Sequence, residues 1–505
     1  MKKIQQSNEK VLIILMAYDP FIFSALERIL DFFPKNTSIE ILDVTDLSAG
    51  ISNTYNQSVL KLFGKRFPDF EFLNFFDSSR ISYSHISKKN SALASSCDEL
   101  NEEIEEAIKS TLITTFRHSE PELKLKRAKK FREKIVREVH GLISLFTELF
   151  LEDKNISTVV IPNGRFANQK AIEITAKNFR KKIYYYDKGN STESVYFRDY
   201  PPQARLASQS DALEITKFIS SHELSVISKQ WLSERSTSNN HSNLFSKIWS
   251  DGKIQEDFSA GRTVVGFFSS SQDEFLTLGD EWQIHSWENQ WDAFDKFMTQ
   301  ASLLGYSFYL RVHPNLATKS RIEFKEEVSK FKWIQSRHSN LKIFWHDDSV
   351  NSYELLKITD VCVVWNSTIG LESSLLGIPT WACAATRYSQ VADIKQALSQ
   401  SEIPMESFEW DVDVTGARKF ITYLGLRDLK IYSPISKWVS WNLIEPPIHV
   451  NISALLASGG TSSWIEAVRQ SLYLYQNRNL RSNVLSLRRK FNLPDKIGLS
   501  QTLKK

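Results

Sequence analysis

The segment Arg311-Val312-His313-Pro314 directly follows an apolar run that is typical of a buried strand. A guanidinium and an imidazole at alternate positions can bind an anionic group at the end of a strand. The proline restricts the backbone and fixes the turn that presents them. The sequence therefore predicts an anion site that contains Arg311, His313 and Pro314. The alternative is that Arg311 and His313 are structural and cap a helix.

A second polar cluster, Asn366-Ser367-Thr368, lies where a predicted strand ends and a predicted helix begins. Side-chain oxygens and free backbone N–H groups at such a junction can bind phosphate. Glu372 lies farther along the same predicted helix, on a face that could reach a ribose hydroxyl. The alternative is a capped helix whose glutamate has no functional role.

The loop Ser269-Ser270-Ser271 follows the first predicted strand of the second half and leads into Asp273 and Glu274. Small hydroxyl side chains let a ligand approach closely, and one of the two carboxylates could act as a base or a covalent nucleophile. A serine followed by acidic residues is also typical of a helix start, where it caps the helix. Both interpretations stay open.

Two further polar segments follow predicted strands in the first half of the chain. Asn163 and Arg165 follow one strand, and Asp187, Lys188 and Glu193 follow the next. A carboxylate such as Asp187 or Glu193 could deprotonate or orient a hydroxyl group of a second ligand. Segments of this composition are also typical of turns.

Alternating strand and helix patterns position these loops. The first half has apolar strands at 11–17, 39–44, 158–162 and 182–186, and the second half has them at 263–268, 307–312, 341–344 and 361–365. Helical patterns separate the strands, which predicts parallel sheets covered by helices. Ligands bind beyond the carboxyl ends of the strands in such sheets. The sequence therefore predicts an α/β protein with two Rossmann-like domains facing a cleft.

The same patterns predict the domain boundaries. We expect an N-terminal Rossmann-like domain at 1–235 with a helical insertion at about 85–150, a linker at 236–262, a second domain at 263–425, and C-terminal helices at 426–505 that pack back on the first domain. The length of 505 residues agrees with two large domains.

Composition excludes several functional classes. The net charge of +4, from 63 basic and 59 acidic residues, is too small to indicate nucleic-acid binding. The three cysteines are widely spaced, so neither a disulfide framework nor a cysteine zinc site is expected, and a cytoplasmic location is the simplest. The histidines show no metal-site spacing, and Asp411-Val412-Asp413 lacks a strand-to-loop setting. No catalytic metal is therefore expected.

Two of these segments together resemble the nucleotide-binding half of GT-B glycosyltransferases, most specifically those of bacterial capsule and lipopolysaccharide synthesis. The resemblance covers residues 263–390 and rests on the R-x-H-P motif and on Asp360, Ser367, Glu372, Gly377 and Pro379. A motif of His-Pro followed by serine is similar to that of transferases that use CMP-activated acidic sugars, such as the capsular Kdo transferases. Related patterns occur in polyol-phosphate polymerases of teichoic acid synthesis and in nucleotide-sugar epimerases.

The resemblance implies a metal-independent glycosyltransferase that needs no cofactor, because the nucleotide sugar is its substrate. The second domain would hold the donor, CMP-Kdo by preference, through Arg311, His313 and the residues near Ser367. Asp273 or Glu274 would act at the anomeric carbon. The first domain would bind a glycan or lipid-linked glycan acceptor of capsule or O-antigen synthesis. The alternatives are a nucleotide-sugar epimerase and a non-catalytic sugar-nucleotide-binding partner in a polysaccharide assembly complex.

A basic segment at 124–137 carries eight basic side chains and one acidic side chain. Such a helix could hold the protein at the anionic inner-membrane face or attract an acidic glycan, although a solvated helical face is the favoured interpretation. No stretch reaches the roughly 20 apolar residues that a membrane-spanning helix needs. Any membrane contact is therefore expected to be peripheral.

Overall fold

Apolar runs of the sequence form two sheets whose strands are mostly parallel. The computed structural model describes residues 9–16, 20–34, 36–44, 80–86, 100–190, 194–236, 261–319, 321–348 and 350–430. All of these belong to one contact unit, which comprises residues 1–51 and 70–444. The predicted fold class, α/β with two Rossmann-like sheets, is confirmed.

The first sheet contains the strands of the first half of the chain. These are β1 (Lys10–Leu15), β2 (Ser38–Asp43), β3 (Ile81–His85), β4 (Ile156–Pro162), β5 (Lys182–Lys188) and β6 (Ser194–Arg198), in the order β6-β5-β4-β1-β2-β3. The strands from β1 to β5 pair in parallel, whereas β6 pairs antiparallel with β5. The central strand β1 is buried along nearly its whole length, which explains its unbroken apolar run.

The second sheet is parallel throughout. It contains β7 (Val264–Phe268), β8 (Ser307–Arg311), β9 (Lys342–Phe344), β10 (Val361–Val364), β11 (Thr380–Ala382) and β12 (Lys395–Gln396), in the order β12-β11-β10-β7-β8-β9. Alternate residues of β7 belong to two different apolar clusters, Val265 and Phe267 to one and Val264 and Phe268 to the other. Both faces of this sheet are therefore covered.

The chain then returns to the first sheet. Strand β13 (Asp428–Lys430) pairs antiparallel with β6. Each strand predicted from sequence is present with ends shifted by at most two residues, while the short strands β3, β6, β11, β12 and β13 were not predicted. Of the predicted C-terminal segment, residues 431–505 lie outside the described residues, as does most of the predicted linker.

The helices lie between the strands in chain order. They are α1 (Pro20–Phe32), α2 (Glu102–Phe116), α3 (Pro121–Lys124), α4 (Lys126–Glu152), α5 (Ala167–Asn178), α6 (Arg205–Ile215), α7 (Ser221–Ser236), α8 (Gln272–Phe275), α9 (Gln290–Leu303), α10 (Arg321–Arg337), α11 (Ser352–Leu356), α12 (Ile369–Leu375) and α13 (Val414–Leu426). Asp413 caps α13, because its Oδ1 accepts from the backbone N–H of Thr415 at 2.9 Å.

The interpretation of residues 85–150 as an insertion needs correction. Helices α2, α3 and α4 connect the edge strand β3 to the central strand β4, so they form a crossover within one sheet. Their apolar side chains, including Ile108, Leu142 and Phe146, share a core cluster with Leu12 of β1 and Val159 of β4. The long apolar pattern of α2 and α4 is explained by this packing.

The predicted boundary at residue 235 also needs correction. Ala212 of α6 and Trp231 of α7 pack in the same apolar cluster as Leu371 and Phe420 of the second half. Helices α6 and α7 therefore cover the second sheet, although they precede the predicted linker. Because α7 packs against the second half of the chain, its last turn lies at the cavity described below.

Asp428 joins the returning strand to the first half of the chain. Its Oδ2 accepts from the backbone N–H of Asn190 at 2.6 Å and from Asn190 Nδ2 at 2.9 Å, and its Oδ1 lies 3.2 Å from Arg427 Nε. Both side chains of this ion pair are at most 5% exposed. Removal of the carboxylate would leave the Arg427 charge buried without that partner.

We predict that Asp428→Ala lowers the free energy of unfolding by about 3–5 kcal/mol, as expected when one member of a buried ion pair is removed. The matched control is Glu354→Ala, which removes an exposed ion pair with Lys357. That change is expected to lower the free energy of unfolding by at most about 1 kcal/mol. Denaturant unfolding of both variants checks the difference, and equal losses would contradict the role given to Asp428.

Candidate functional site

A cavity of about 520 Å³ lies among residues of both halves of the chain. The first half contributes Thr114, Arg117, Arg165, Asn190, Trp231 and Arg235, and the second half contributes Ser270, Ser271, Asp273, Glu274, Phe275, Thr277, Leu278, Trp282, His313, Asn366, Ser367, Thr368, Leu371, Arg387, Tyr388, Phe420 and Leu424. Loops that follow β7, β8 and β10 reach it, as expected where parallel strands end together.

The loop after β7 forms one wall of the cavity. Gln290 of α9 fixes its backbone, because its side-chain amide bonds to both the N–H and the carbonyl of Ser270. Ser270 Oγ in turn accepts from the backbone N–H of Asn366 at 3.4 Å. Ser270 and Ser271 line the cavity. Ser269 is buried behind them and accepts from the backbone N–H of His313 at 2.9 Å.

His313 reaches the cavity from the loop after β8. Its Nδ1 accepts from the backbone N–H of Asn315 at 3.2 Å, and burial lowers the pKa of the imidazole. A neutral ring whose Nδ1 accepts carries its proton on Nε2. Nε2 is therefore a hydrogen-bond donor. Pro314 starts the short turn Pro314–Thr318 and does not line the cavity.

Asp273 is the most tightly held carboxylate of the cavity wall. Its Oδ1 lies 2.8 Å from Lys319 Nζ and accepts from Ser271 Oγ at 2.6 Å, while its Oδ2 lies 3.3 Å from Arg117 Nη1. Burial opposes ionisation, but Lys319 and Arg117 outweigh it and hold the pKa of Asp273 below its ordinary value. The group is therefore ionised and already paired at neutral pH.

Glu274 differs from its neighbour in exposure. Its side chain is 46% exposed, compared with 1% for Asp273. Its Oε1 accepts from Arg117 Nη2 at 3.2 Å and from Asn315 Nδ2 at 2.5 Å. Glu274 is thus oriented by two donors and still reaches the open space of the cavity.

Besides Ser269 and Pro314, two more residues of the predicted donor site, Arg311 and Glu372, lie outside the cavity lining. Arg311 is 3% exposed and its Nη1 donates to the backbone carbonyl of Trp345 at 2.5 Å; burial lowers its pKa to about 10. Glu372 is 1% exposed, and its Oε1 lies 2.9 Å from Arg235 Nε. The placement of Arg311 and Glu372 against the ligand is therefore corrected. Glu372 instead positions Arg235, which lines the cavity together with Trp231.

Three of the residues predicted near the acceptor, Asp187, Asn163 and Arg165, are linked by hydrogen bonds. Asn163, with a positive φ of 51°, donates from Nδ2 to Asp187 Oδ2 at 2.5 Å. Its Oδ1 accepts from the backbone N–H of Arg165 at 3.1 Å, and Arg165 Nη1 donates to Thr277 Oγ1 at 2.8 Å. Burial raises the pKa of Asp187 and lowers that of Arg165.

Among the described members of the predicted acceptor group, Arg165 lines the cavity and Asn163 does not. Asp187 and Lys188 lie outside the lining, and Glu193 lies outside the described residues. The first-half residues Arg117 and Arg235 and the second-half residue Arg387 were missed. Each lies in or after an element that carries no recognisable motif, so no sequence signal identified them.

A smaller cavity of about 250 Å³ adjoins the first through Arg165, Thr277 and Leu278, which line both. Glu106 of α2 and Asp280 face it from opposite halves of the chain. Burial and the nearby Asp280 carboxylate raise the pKa of Glu106. This second carboxylate pair was not predicted either.

One group of side chains within the described part of the chain has the geometry of a cation site. His118, Glu323 and Glu326 have ligand atoms within 4.8 Å of one another. Lys319 Nζ lies 3.8 Å from Glu323, and Lys124 Nζ lies 3.1 Å from Glu326. These ammonium groups already neutralise the carboxylates. The expectation that no metal takes part in catalysis stays a prediction.

The basic segment at 124–137 comprises the last residue of α3, Leu125 and the start of α4. Several of its charges are paired, for example Lys124 with Glu326 and Arg132 with Glu105. Lys126, Lys129 and Lys130 are exposed. Among the described helices, none is both long and apolar enough to cross a membrane.

No protein-family model and no curated protein matches the sequence. Among solved structures, the KpsC β-Kdo 2,4-transferase of Thermosulfurimonas dismutans is 15% identical, with 55% of this chain and 85% of that chain covered and a TM-score of 0.35. The UDP-GlcNAc 2-epimerase of Neisseria meningitidis, solved with UDP-GlcNAc, is 13% identical, with 82% and 98% covered and a TM-score of 0.28. The UDP-N-acetylglucosamine 2-epimerase of Rickettsia bellii is 10% identical, with 88% and 98% covered and a TM-score of 0.31. The likeness is distant, and no family membership follows from it.

The ion pairs of Asp273 predict a pH dependence of stability. Because its pKa is lower in the folded state, its contribution is fully present above the unfolded value of about 3.9 and is lost as the pH falls through the folded value. The difference in unfolding free energy between wild type and Asp273→Asn is therefore expected to be constant from about pH 5 to 8 and to shrink below about pH 4.

Denaturant unfolding across this pH range measures the difference. Asp199→Asn, at an exposed aspartate, is the matched control and should show no such trend. A difference that grows on acidification would contradict the assigned ion pairs.

Proposed function

We propose that the protein is a glycosyltransferase whose cavity binds a nucleotide-activated sugar. The observation that carries the proposal is the side-chain chemistry of the cavity: Arg117, Arg165 and Arg235 line it beside two carboxylates, Asp273 and Glu274. Cationic side chains and N–H donors fixed before the reaction stabilise an anion that forms as a bond breaks. A departing nucleotide is such an anion.

In the proposed reaction, the oxygen of an acceptor hydroxyl forms a bond to the anomeric carbon of the donor sugar. The bond between that carbon and the phosphate oxygen breaks, and its electron pair leaves with the nucleotide. The hydroxyl proton passes to a carboxylate. His313 Nε2–H and the backbone and hydroxyl groups of Ser367 and Thr368 support a role for this end of the cavity in holding the phosphate.

Glu274 is the proposed proton acceptor of the two adjacent carboxylates. Its exposure to the cavity and its two fixed donors favour a positioned base. Asp273 has both oxygens engaged by Lys319, Ser271 and Arg117, which favours a positioning role. By the same reasoning Asp187 positions Arg165 through Asn163 and does not itself contact the ligand.

The smaller cavity is the proposed place of the glycan acceptor. It shares Arg165 and Thr277 with the main cavity, so an acceptor bound there lies next to the donor. Glu106 and Asp280 can accept hydrogen bonds from sugar hydroxyls. The donor is proposed to be a CMP-activated acidic sugar of the Kdo type, on the resemblance of the R-x-H-P and serine motifs. The excess of positive side chains in the main cavity suits an anionic donor of this kind.

We predict that Glu274→Gln lowers the rate of sugar transfer by about 10²–10⁴-fold with little change in melting temperature, because a positioned base is lost while the fold is kept. The matched control is Glu288→Gln, at an exposed glutamate that does not line the cavity. Transfer by Glu274→Gln at the wild-type rate would contradict the role of Glu274. Product analysis without acceptor separates transfer from epimerisation, since an epimerase converts its nucleotide sugar alone.

The donor proposal predicts that CMP raises the melting temperature more than UDP or GDP at equal concentration. A ligand present at 100 times its Kd stabilises the folded state by about 2.7 kcal/mol, which a thermal-shift measurement resolves. Greater stabilisation by UDP would instead assign the donor to the UDP-sugars. No stabilisation by any nucleotide would contradict the proposed function.

A further inference from the structure

Arg387 differs from the other arginines of the main cavity in its partners. Arg117 pairs with Asp273 and Glu274, and Arg235 pairs with Glu372. Arg165 forms no salt bridge in the described part of the chain and its buried Nε also lacks a partner there, but it donates to Thr277 and the carboxylates of Asp187 and Glu274 act on its charge. Arg387 forms no salt bridge with a carboxylate in the described part of the chain, and its buried Nε has no hydrogen-bond partner there. It nevertheless lines the cavity.

The surroundings of Arg387 hold it in place without neutralising it. Its guanidinium carbon lies 5.8 Å from the centre of the Trp282 ring, a cation–π contact. The preceding residue is anchored through its carbonyl, which accepts from Gln209 Nε2 at 3.1 Å. The neighbouring charge is Arg427, whose own partner is Asp428. The guanidinium is half-buried and has no carboxylate partner in the described part of the chain, so a bound group that supplies negative charge would stabilise it.

Arg387 and His313 belong to different parts of the cavity. The backbone N–H of His313 donates to Ser269, and its Nδ1 accepts from the backbone N–H of Asn315. The guanidinium of Arg387 lies instead against the Trp282 ring. The two residues therefore have different neighbours, although both line one cavity. The charge of Arg387 is thus a position separate from the neutral imidazole of His313.

We propose that Arg387 binds a second anionic group of the ligand, distinct from the phosphate that the His313 part of the cavity holds. A guanidinium presents two parallel N–H donors, which match a carboxylate or a phosphate. The inference rests on the proposed function and narrows its substrate class to sugar nucleotides with two separated anionic groups. The second group is the carboxylate of a sugar acid or a further phosphate.

The test compares binding of three probes to wild type and Arg387→Gln by calorimetry: CMP, CDP and CMP-N-acetylneuraminic acid. The variant is expected to bind CMP with unchanged affinity and to bind one of the other two at least about tenfold more weakly. If only the affinity for CMP-N-acetylneuraminic acid falls, the second anionic group is a carboxylate. If only the affinity for CDP falls, it is a phosphate. Unchanged affinity for all three probes, with wild type binding them, overturns the inference and leaves the proposed function standing.

A second measurement does not depend on nucleotide binding. Free N-acetylneuraminic acid and inorganic phosphate are tested for thermal stabilisation of wild type and Arg387→Gln. If no nucleotide binds wild type but one of these anions stabilises it only when Arg387 is present, the proposed function fails and the anion position stands. If neither anion nor any nucleotide distinguishes the two proteins, the inference is overturned.

Two further variants serve as controls, one for the loss of a positive charge and one for a failure of Arg387→Gln to fold. Because Arg387 forms no salt bridge among the described residues, Arg387→Gln is expected to melt at or above the wild-type temperature. Arg321→Gln removes the same charge at an exposed site outside the cavity lining and should bind every probe as wild type does. If Arg387→Gln does not fold, Arg387→Lys keeps the charge but loses the paired donors. An affinity of that variant equal to wild type for the two-anion probes then overturns the inference.

Discussion

The buried carboxylate of Asp273 is the constraint on which the cavity wall depends. Lys319 at 2.8 Å and Arg117 at 3.3 Å come from different halves of the chain, and Asp273 is 1% exposed between them. Removing a charge from water is unfavourable unless other charges and hydrogen bonds replace the water. Asp273 therefore requires both cations. With Arg117 fixed in this way, its second nitrogen is placed 3.2 Å from Glu274.

The same principle operates at Arg235, another arginine of the cavity lining, where Glu372 is 1% exposed and lies 2.9 Å from Arg235. Burial raises the pKa of Glu372, whereas Arg235 and the hydroxyl of Tyr353 favour its ionised form. Each of these two arginines thus has a buried acid that fixes its position before any ligand binds. Arg387 has no such acid within the described part of the chain. An anionic group of a ligand would supply the counter-charge that Arg387 lacks there.

Sequence reasoning found the strands and the loops after them because a strand buried on both faces must be apolar and must end in a polar turn. The expectation that Arg311 contacts the ligand was wrong because β8 ends at this residue, which still pairs with β7 and β9. His313, two residues later, already lies in the turn that follows β8. Sequence reasoning misplaced Glu372 because its partner Arg235 ends a helix expected to belong to the first domain. Arg117 and Arg387 meet the cavity only through the tertiary fold. The periodicity of apolar residues predicts the strands and helices. It does not show when a helix from one half of the chain packs against the sheet of the other half, as α6 and α7 do.

Among the contacts that join the halves of the chain around the cavity, two differ clearly in strength. On one side, β13 adds backbone hydrogen bonds to β6, and the buried pair of Arg427 and Asp428 supports it. On the other side, Arg117 is 27% exposed and Glu274 is 46% exposed, and ion pairs with that much access to water contribute at most about 1 kcal/mol. Separation of Arg117 from Glu274 thus requires far less free energy than separation of β13 from β6. The same Arg117 guanidinium, however, also holds the buried Asp273 at 3.3 Å. Opening of the cavity on this side would therefore leave Asp273 with one cation fewer, so the weak pair with Glu274 is kept in place by the buried pair beside it.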